Sequence, residues 1–499
     1  MEESFTSNLD PGYMTRYNAD PGRLIGVWKV RFIYVLATIL LLVVLLVTLV
    51  SAQVKWQLVA VSHGGWEQLQ ELASRGLQII HYRGDVLAAV SYDEQIETLR
   101  QAGFEVRVLD TAADPDLYYL AYPPQDGGTF PFAALSLDLE AVYPYAEGVY
   151  IIKAQRVAAE ALTSQGVQIV RLPRSVTLNR GELLSARLQG DLAYNPDIQE
   201  MVEAVSPTLL IDDVCKLQDD DSQDYCNALG TRYSYAPAGL DEAARYLHDQ
   251  YAALGLTVTY HNLEYGGYAM KNVVAELPGV GPDREHIYIL CAHYDSTSKD
   301  PTHVAPGADD NASGSAAVLE AARILSQHQF NRTIRFIHFA GEEQGLIGSA
   351  RYAAAARQRG DLIDGVINLD MVAYESVPPG DHIVEIHAGL DPASIALADV
   401  LSSNITEYGL LLAPQTLTST ATNRSDHGSF WNEGYPAILG IEDFQGDFNP
   451  YYHSVNDTLA NMQTELMVEY TKACVATLAE LARAARSLSS AIYLPLLLR

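Results

Sequence analysis

Beyond about residue 206, short apolar runs of strand character alternate with amphipathic helical segments, and this alternation restricts the fold more than any other feature. DEAARYLHDQYAALG (241–255) gathers its apolar side chains on one helical face and stops at Gly255, and NVVAELPG (272–279) follows as a strand. HIYILCAH (286–293) reads as an apolar strand, ASGSAAVLEAARILSQ as a helix, RTIRFIHFA as a strand, GLIGSARYAAAARQR as a helix and GVINLDMVA as a strand. Strands separated by helices return to one sheet through crossovers, so the order predicts an α/β domain with a mixed, mostly parallel sheet and helices on both faces. In open sheets of this kind ligands gather at the carboxyl ends of the strands. Each of these strands ends in a residue type that binds metal, beginning with His293.

The part before it has a different texture. WQLVAVS, WEQLQELASRG, LQIIHYRGDVLAAVS, EQIETLRQAG and FEVRVLD read as strand, helix, two strands, helix and strand, the order of a ferredoxin-like α+β unit. A fainter echo follows at GVYIIKA, QRVAAEALTSQG and VQIVRLPR, so residues 53–205 have room for two related small modules. No catalytic constellation is visible in them. A pro-segment, a folding chaperone and a partner-binding spacer are equally compatible with what they contain.

FIYVLATILLLVVLLVTLVS (32–51) is uncharged and about as long as a bilayer-spanning helix requires. Arg23, Lys29 and Arg31 precede it, which favours a cytoplasmic N-terminal tail (1–31) and places the rest outside the cytoplasm. The expectation is a membrane anchor at 32–52, with secretion as the outcome if the chain is cleaved after Ala52. With 48% hydrophobic and 19% charged residues the chain can bury a large core, and its net charge of -30 argues against a nucleic-acid partner. Export makes a disulfide plausible, and Cys215 and Cys226 flank an acidic stretch that closes easily. Cys291 and Cys474 lie in apolar segments and read as small core residues.

Five segments carry chemistry: Ala292-His293-Tyr294-Asp295, the Gly307 to Gly314 loop GADDNASG, Gly341-Glu342-Glu343-Gln344-Gly345, Asn368-Leu369-Asp370-Met371 and Tyr451-Tyr452-His453-Ser454. At these residues the chain resembles the di-zinc aminopeptidase family of leucyl aminopeptidase-like and glutamate carboxypeptidase-like zinc exopeptidases. The resemblance covers roughly residues 206 to 487 and implies a zinc exopeptidase fold. It makes His293 and Asp370 ligands of one Zn2+, Glu343 and His453 ligands of the other, and Asp310 the bridge. Zinc accepts imidazole nitrogen and carboxylate oxygen, and one aspartate can join two ions about 3.5 to 4 Å apart. The neighbouring Asp309 and Asp310 are hard to separate by spacing; the family pattern favours the second. The resemblance also makes Glu342 the general base toward a zinc-bridging hydroxide, Tyr452 a candidate oxyanion partner, and Asp295 and Asp426 supporting carboxylates.

Ser425-Asp426-His427 spells the letters of a hydrolase triad, but triads converge from separated segments, whereas adjacent side chains point apart. The expected activity is removal of N-terminal residues from peptides with a free amine. A carboxypeptidase of the same family and a non-catalytic, receptor-like ectodomain are the alternatives. A carboxypeptidase would need a cationic clamp, and neither Arg351 nor Arg424 can be placed at the site from sequence. The resulting organisation is a tail (1–31), an anchor (32–52), an α+β region (53–205), a catalytic domain (206–488) and an apolar tail (489–499).

Overall fold

The structure, a computed structural model, describes residues 55–123, 131–132, 135, 137–146, 148–178, 194–218, 230–376 and 380–483. The proposed anchor at 32–51, Cys226 and the 489–499 tail lie outside them. Among the described residues no helix is long and apolar enough to cross a membrane. Cys215 is disulfide-bonded, while Cys291 and Cys474 are free and buried.

The described residues form three sheets. The first holds β1 (Gln57–Ser62), β2 (Gln78–Arg83), β3 (Val86–Ser91) and β4 (Val106–Asp110) in the order β2-β3-β1-β4, with helices Trp66–Ser74 and Asp93–Gln101 between strands. All its pairings are antiparallel, and the connectivity is that of a split β-α-β unit. Successive side chains of a strand point to opposite faces. Val59 and Val61 accordingly pack against Leu69, Leu72, Ile96 and Leu99 of the two helices, while Leu58, Ala88 and Val90 turn to the other side.

That other side meets the second sheet. β5 (Tyr118–Tyr122), β6 (Leu139–Ala146), β7 (Val149–Ala154) and β8 (Gln168–Arg171) are ordered β6-β7-β5-β8, which repeats the permutation of the first sheet. Tyr118, Leu120, Ile151 and Val170 share one core with Leu58 and Val90, whereas Tyr119, Ile152 and Ile169 pack on Ala159 and Leu162 of its own helical segment. Two-sided burial explains why β5 and the Leu58–Val61 stretch of β1 are continuously apolar rather than alternating.

The third sheet contains β9 (Thr257–Tyr265), β10 (Tyr268–Leu277), β11 (His286–His293), β12 (Thr333–Phe339), β13 (Leu362–Leu369), β14 (Ile383–His387), β15 (Ala413–Leu417) and β16 (Ala437–Glu442). Its order is β15-β14-β16-β13-β11-β12-β10-β9. The central strands β12, β11, β13 and β16 run parallel, and β14 is antiparallel to β16. β9 and β10 form an antiparallel edge, so the sheet is mixed. Along β11, Tyr288, Leu290 and Ala292 face the core under helices Pro237–Ala253, Gly314–Leu325 and Thr464–Ala482. Ile287, Ile289 and Cys291 face the opposite core, with Tyr352 and Phe430. The first of these cores also takes in Ile198, Met201 and Val202 of helix Pro196–Glu203, so its packing starts upstream of residue 206. Trp56 onward clusters as one compact unit.

Candidate metal centre

His293 is the last residue of β11, and Asp370 directly follows β13, its parallel neighbour. Parallel strands end at the same edge of the sheet, which brings His293 Nε2 to 3.2 Å from Asp370 Oδ1. Asp310 comes from the irregular helical turn Ala308–Ser313 that leads into helix Gly314–Leu325. Its Oδ1 lies 3.3 Å from His293 Nε2 and its Oδ2 3.3 Å from His453 Nε2. His453 Nε2 is also 2.9 Å from Glu343 Oε2. Two donor groups result, His293-Asp310-Asp370 and Asp310-Glu343-His453, each with ligand atoms within 4.8 Å of one another and with Asp310 common to both.

The ambiguity between the two aspartates disappears in the fold. Asp309 turns away, accepting hydrogen bonds from Ala373 N at 3.0 Å and Asn449 Nδ2 at 2.8 Å. The loop that delivers Asp310 is fastened from two sides. Asp457 accepts the backbone N–H of Asp309 and of Asp310 at 2.9 and 3.0 Å. The fully buried Arg232 donates to the carbonyls of Tyr294, Pro306 and Gly307 at 2.7, 2.9 and 2.8 Å. Gly307 adopts φ +53, a left-handed conformation glycine takes freely, and a Cβ at Gly314 would lie 2.8 Å from the Leu369 carbonyl oxygen. Sequence reading missed Arg232 and Asp457; the one visible signal was the carboxylate four residues after His453.

Asp295 is placed differently from a simple histidine orienter. Its backbone carbonyl accepts from His293 Nδ1 at 3.1 Å, while its carboxylate stands 3.6 Å from that nitrogen. The carboxylate instead accepts the Glu342 and Glu343 backbone N–H groups at 3.2 and 3.4 Å and the Ser234 hydroxyl at 2.9 Å. It thereby ties the segment after β12 to the end of β11. His453 and Met371 sit at φ 52 and 54, backbone positions that cost non-glycine residues energy and that concentrate at functional sites.

Glu342, Asp310, Asp370 and His453 line one cavity of about 30 Å³. Met371, Leu439, Ile441 and Phe444 form its apolar wall, with Tyr452 packed against them and stacked on His453 at a centroid distance of 3.7 Å. Arg424 and Gln168 also line it. Arg351 is exposed and lines a separate groove beside Arg171 and Arg174. Asp426 is fully buried, and His427 Nε2 contacts the Thr422 carbonyl at 2.8 Å, so Ser425, Asp426 and His427 make no relay.

Electrostatically the cluster is short of positive charge. Burial pushes the Glu342 carboxyl well above its ordinary value, against the pull of His293 and with the help of Asp370 and Glu343. Burial raises Glu343 and Asp426 as well. Burial alone would lower His293 and His453, yet Asp370 and Glu342 around the first and Glu343 and Asp310 around the second hold both above the normal imidazole range. Glu342 Oε1 and Glu343 Oε1 are buried without a hydrogen-bond partner. Buried carboxylates in this density are stabilised by cations, and imidazole with carboxylate is a donor set that zinc accepts.

Residues 272–478 match the model of Peptidase family M28. Over that stretch the chain resembles this peptidase family. Over 230 residues, 43% of this chain, the sequence is 32% identical to the probable leucine aminopeptidase 1 of Trichophyton verrucosum and spans 59% of that protein's length. A second protein of that organism, a probable leucine aminopeptidase, is 27% identical over 309 residues, 60% of this chain and 80% of the relative. Among solved structures the Legionella pneumophila LapA aminopeptidase aligns with a TM-score of 0.54 and 20% identity, covering 74% of this chain and 99% of the other, a likeness of fold. The M28 match contains His293, Asp310, Glu342, Glu343, Asp370 and His453 and leaves both small N-terminal sheets outside it.

Proposed function

We propose that this chain is a zinc aminopeptidase that removes N-terminal residues from peptides with a free amine. The observation that carries the reading is the pair of donor groups sharing Asp310. Two ions fit that arrangement, one held by His293, Asp310 and Asp370 and the other by Asp310, Glu343 and His453. Bound zinc would polarise the scissile carbonyl and make water acidic enough to attack near neutral pH.

The protein's own groups supply the rest. Glu342 lines the same cavity with Oε1 free of any hydrogen bond, so it can take the proton of the attacking water and hand it to the departing amine. Burial keeps that carboxyl a strong proton acceptor once a cation has displaced the protons of its neighbours. The Tyr452 hydroxyl is the candidate partner of the developing oxyanion. The substrate ammonium finds a surplus of carboxylates, Glu342 and Asp370 among them. The names of the leucine aminopeptidases that the chain resembles support the aminopeptidase reading over a carboxypeptidase.

The reading extends to location: residues 32–51 anchor the chain, with the M28 domain outside the cytoplasm. Metal analysis of the purified protein, together with turnover on peptides with free and with acetylated N-termini, tests the activity. Zinc binding with cleavage of free-amine peptides alone is expected; cleavage of blocked peptides alone would replace the reading with a carboxypeptidase or endopeptidase.

A further inference from the structure

The cavity that Glu342 lines is also lined by a residue from outside the stretch that resembles the M28 family. Gln168 opens β8 of the second small sheet and lines the cavity directly. Its cross-strand neighbour on β5 is Tyr122. The two act on one arginine. Gln168 Nε2 donates to the Arg424 carbonyl at 2.9 Å, and Gln168 Oε1 accepts from Arg424 Nε. The Arg424 guanidinium lies 5.2 Å from the ring centroid of Tyr122 and 5.0 Å from that of Phe444, within the range of cation–π attraction. Tyr122 also donates its hydroxyl to Asn423 Oδ1 at 2.5 Å, which pins the residue before Arg424. Among the described residues the Arg424 side chain meets an amide oxygen and two rings and no carboxylate, although the chain carries 62 acidic residues against 32 Lys and Arg. The guanidinium is therefore placed by its aromatic and amide neighbours rather than by an ion pair.

Building on the aminopeptidase reading, we propose that the Gln168–Arg424 clasp caps the pocket for the N-terminal side chain and restricts the enzyme to small residues there. The released residue carries its side chain one carbon away from the attacked carbonyl, so that side chain must enter the cavity Glu342 lines. Met371, Leu439, Ile441 and Phe444 make its wall apolar. Its volume of about 30 Å³ holds roughly two waters, enough for a methyl group. An isobutyl or benzyl group has to displace the Arg424 side chain, which breaks its Nε–H bond to Gln168 Oε1 and lifts the cation from two rings. The second small sheet thus serves as a fixed wall of the substrate site.

The test uses the full-length, zinc-loaded protein and kcat/KM on alanyl-, leucyl-, phenylalanyl- and glutamyl-p-nitroanilide. Gln168→Ala is expected to raise the Phe-to-Ala ratio about tenfold, mainly through KM, the scale on which pocket contacts discriminate apolar side chains. Gln168→Glu keeps an acceptor for Arg424 Nε and is expected to keep the parental ratio. Thermal unfolding of both variants separates a lost cap from a lost fold, and a merely structural role would lower all substrates alike. A parental enzyme that is active but whose ratio does not move in Gln168→Ala, or moves equally in Gln168→Glu, overturns the clasp while leaving the aminopeptidase reading intact. Parental preference for the glutamyl substrate that vanishes in Arg424→Met overturns it too, because Arg424 would then be reading a carboxylate. A parental enzyme inactive on every substrate removes the function and the clasp together.

Discussion

The carboxylate of Asp457 reaches across 147 residues of sequence to accept the backbone N–H of Asp310 at 3.0 Å. The Asp457 carboxylate grips the backbone amides of Asp309 and Asp310 rather than a ligand side chain, and so sets where the shared aspartate stands. Groups of this kind weaken metal affinity by roughly 10- to 100-fold when removed. Asp457→Ala is accordingly expected to bind zinc more weakly by that order, while Asp457→Asn, which keeps one acceptor oxygen, loses less. Competition against a chromogenic chelator measures it, and parental affinity in Asp457→Ala would mean that the loop holds its shape unaided.

The two donor groups share one residue, which makes their occupancy separable by mutation. His453→Ala removes a donor from one group alone, so bound zinc should fall from two ions per chain to one. Asp310→Ala removes the common donor and should leave neither site tight. Inductively coupled plasma analysis after gel filtration reads the ratio; one ion per chain in the parental protein would refute the paired centre.

Glu342 is expected to matter for turnover and little for metal. Glu342→Gln preserves shape and removes the base, so kcat should fall by about 10² to 10⁴ while zinc content stays unchanged. Chelation should abolish parental activity, and added zinc should restore it. Undiminished turnover in Glu342→Gln would take the base assignment away from this residue.

Acid stability should report on the N-terminal sheets. Burial works against the ionised form of Asp110, but Lys153 Nζ at 2.8 Å and the Tyr118 hydroxyl at 2.7 Å overcome it and hold the carboxyl below its ordinary value. A carboxylate depressed on folding adds stability that is complete above its unfolded pKa of about 3.9 and is lost as the pH falls through the folded value. Asp110→Asn should therefore cost about 1.5 to 3 kcal/mol at neutral pH, the range for hydrogen bonds to charged groups, and the deficit should shrink below about pH 3.9. Urea titrations at neutral and acid pH provide the comparison, and a deficit that does not vary with pH would rule out the charge as its source.

Much of the centre is visible before folding because its signals are local. Strand runs ending at His293 and before Asp370 announce their sheet edge through periodicity, and the GADDNASG and GEEQG loops stand out through the family resemblance. The choice of Asp310 over Asp309 is not local: it depends on Asn449, Ala373 and Asp457 arriving from later in the chain to occupy or orient the alternatives. Asp295 shows the same limit, since spacing puts it near His293 but only packing turns its carboxylate toward the Glu342 and Glu343 amides.

The amino-acid order by itself determined the α/β alternation, the repeated small modules and the donor chemistry, because hydrophobic period and residue type act over a few residues. The tertiary structure alone decided that Asp457 and Arg232 brace the loop of the shared aspartate, and that Gln168 of a small N-terminal sheet meets Arg424 across 256 residues. Contacts at such separations follow from how sheets stack and loops close, and no short stretch of sequence encodes that geometry.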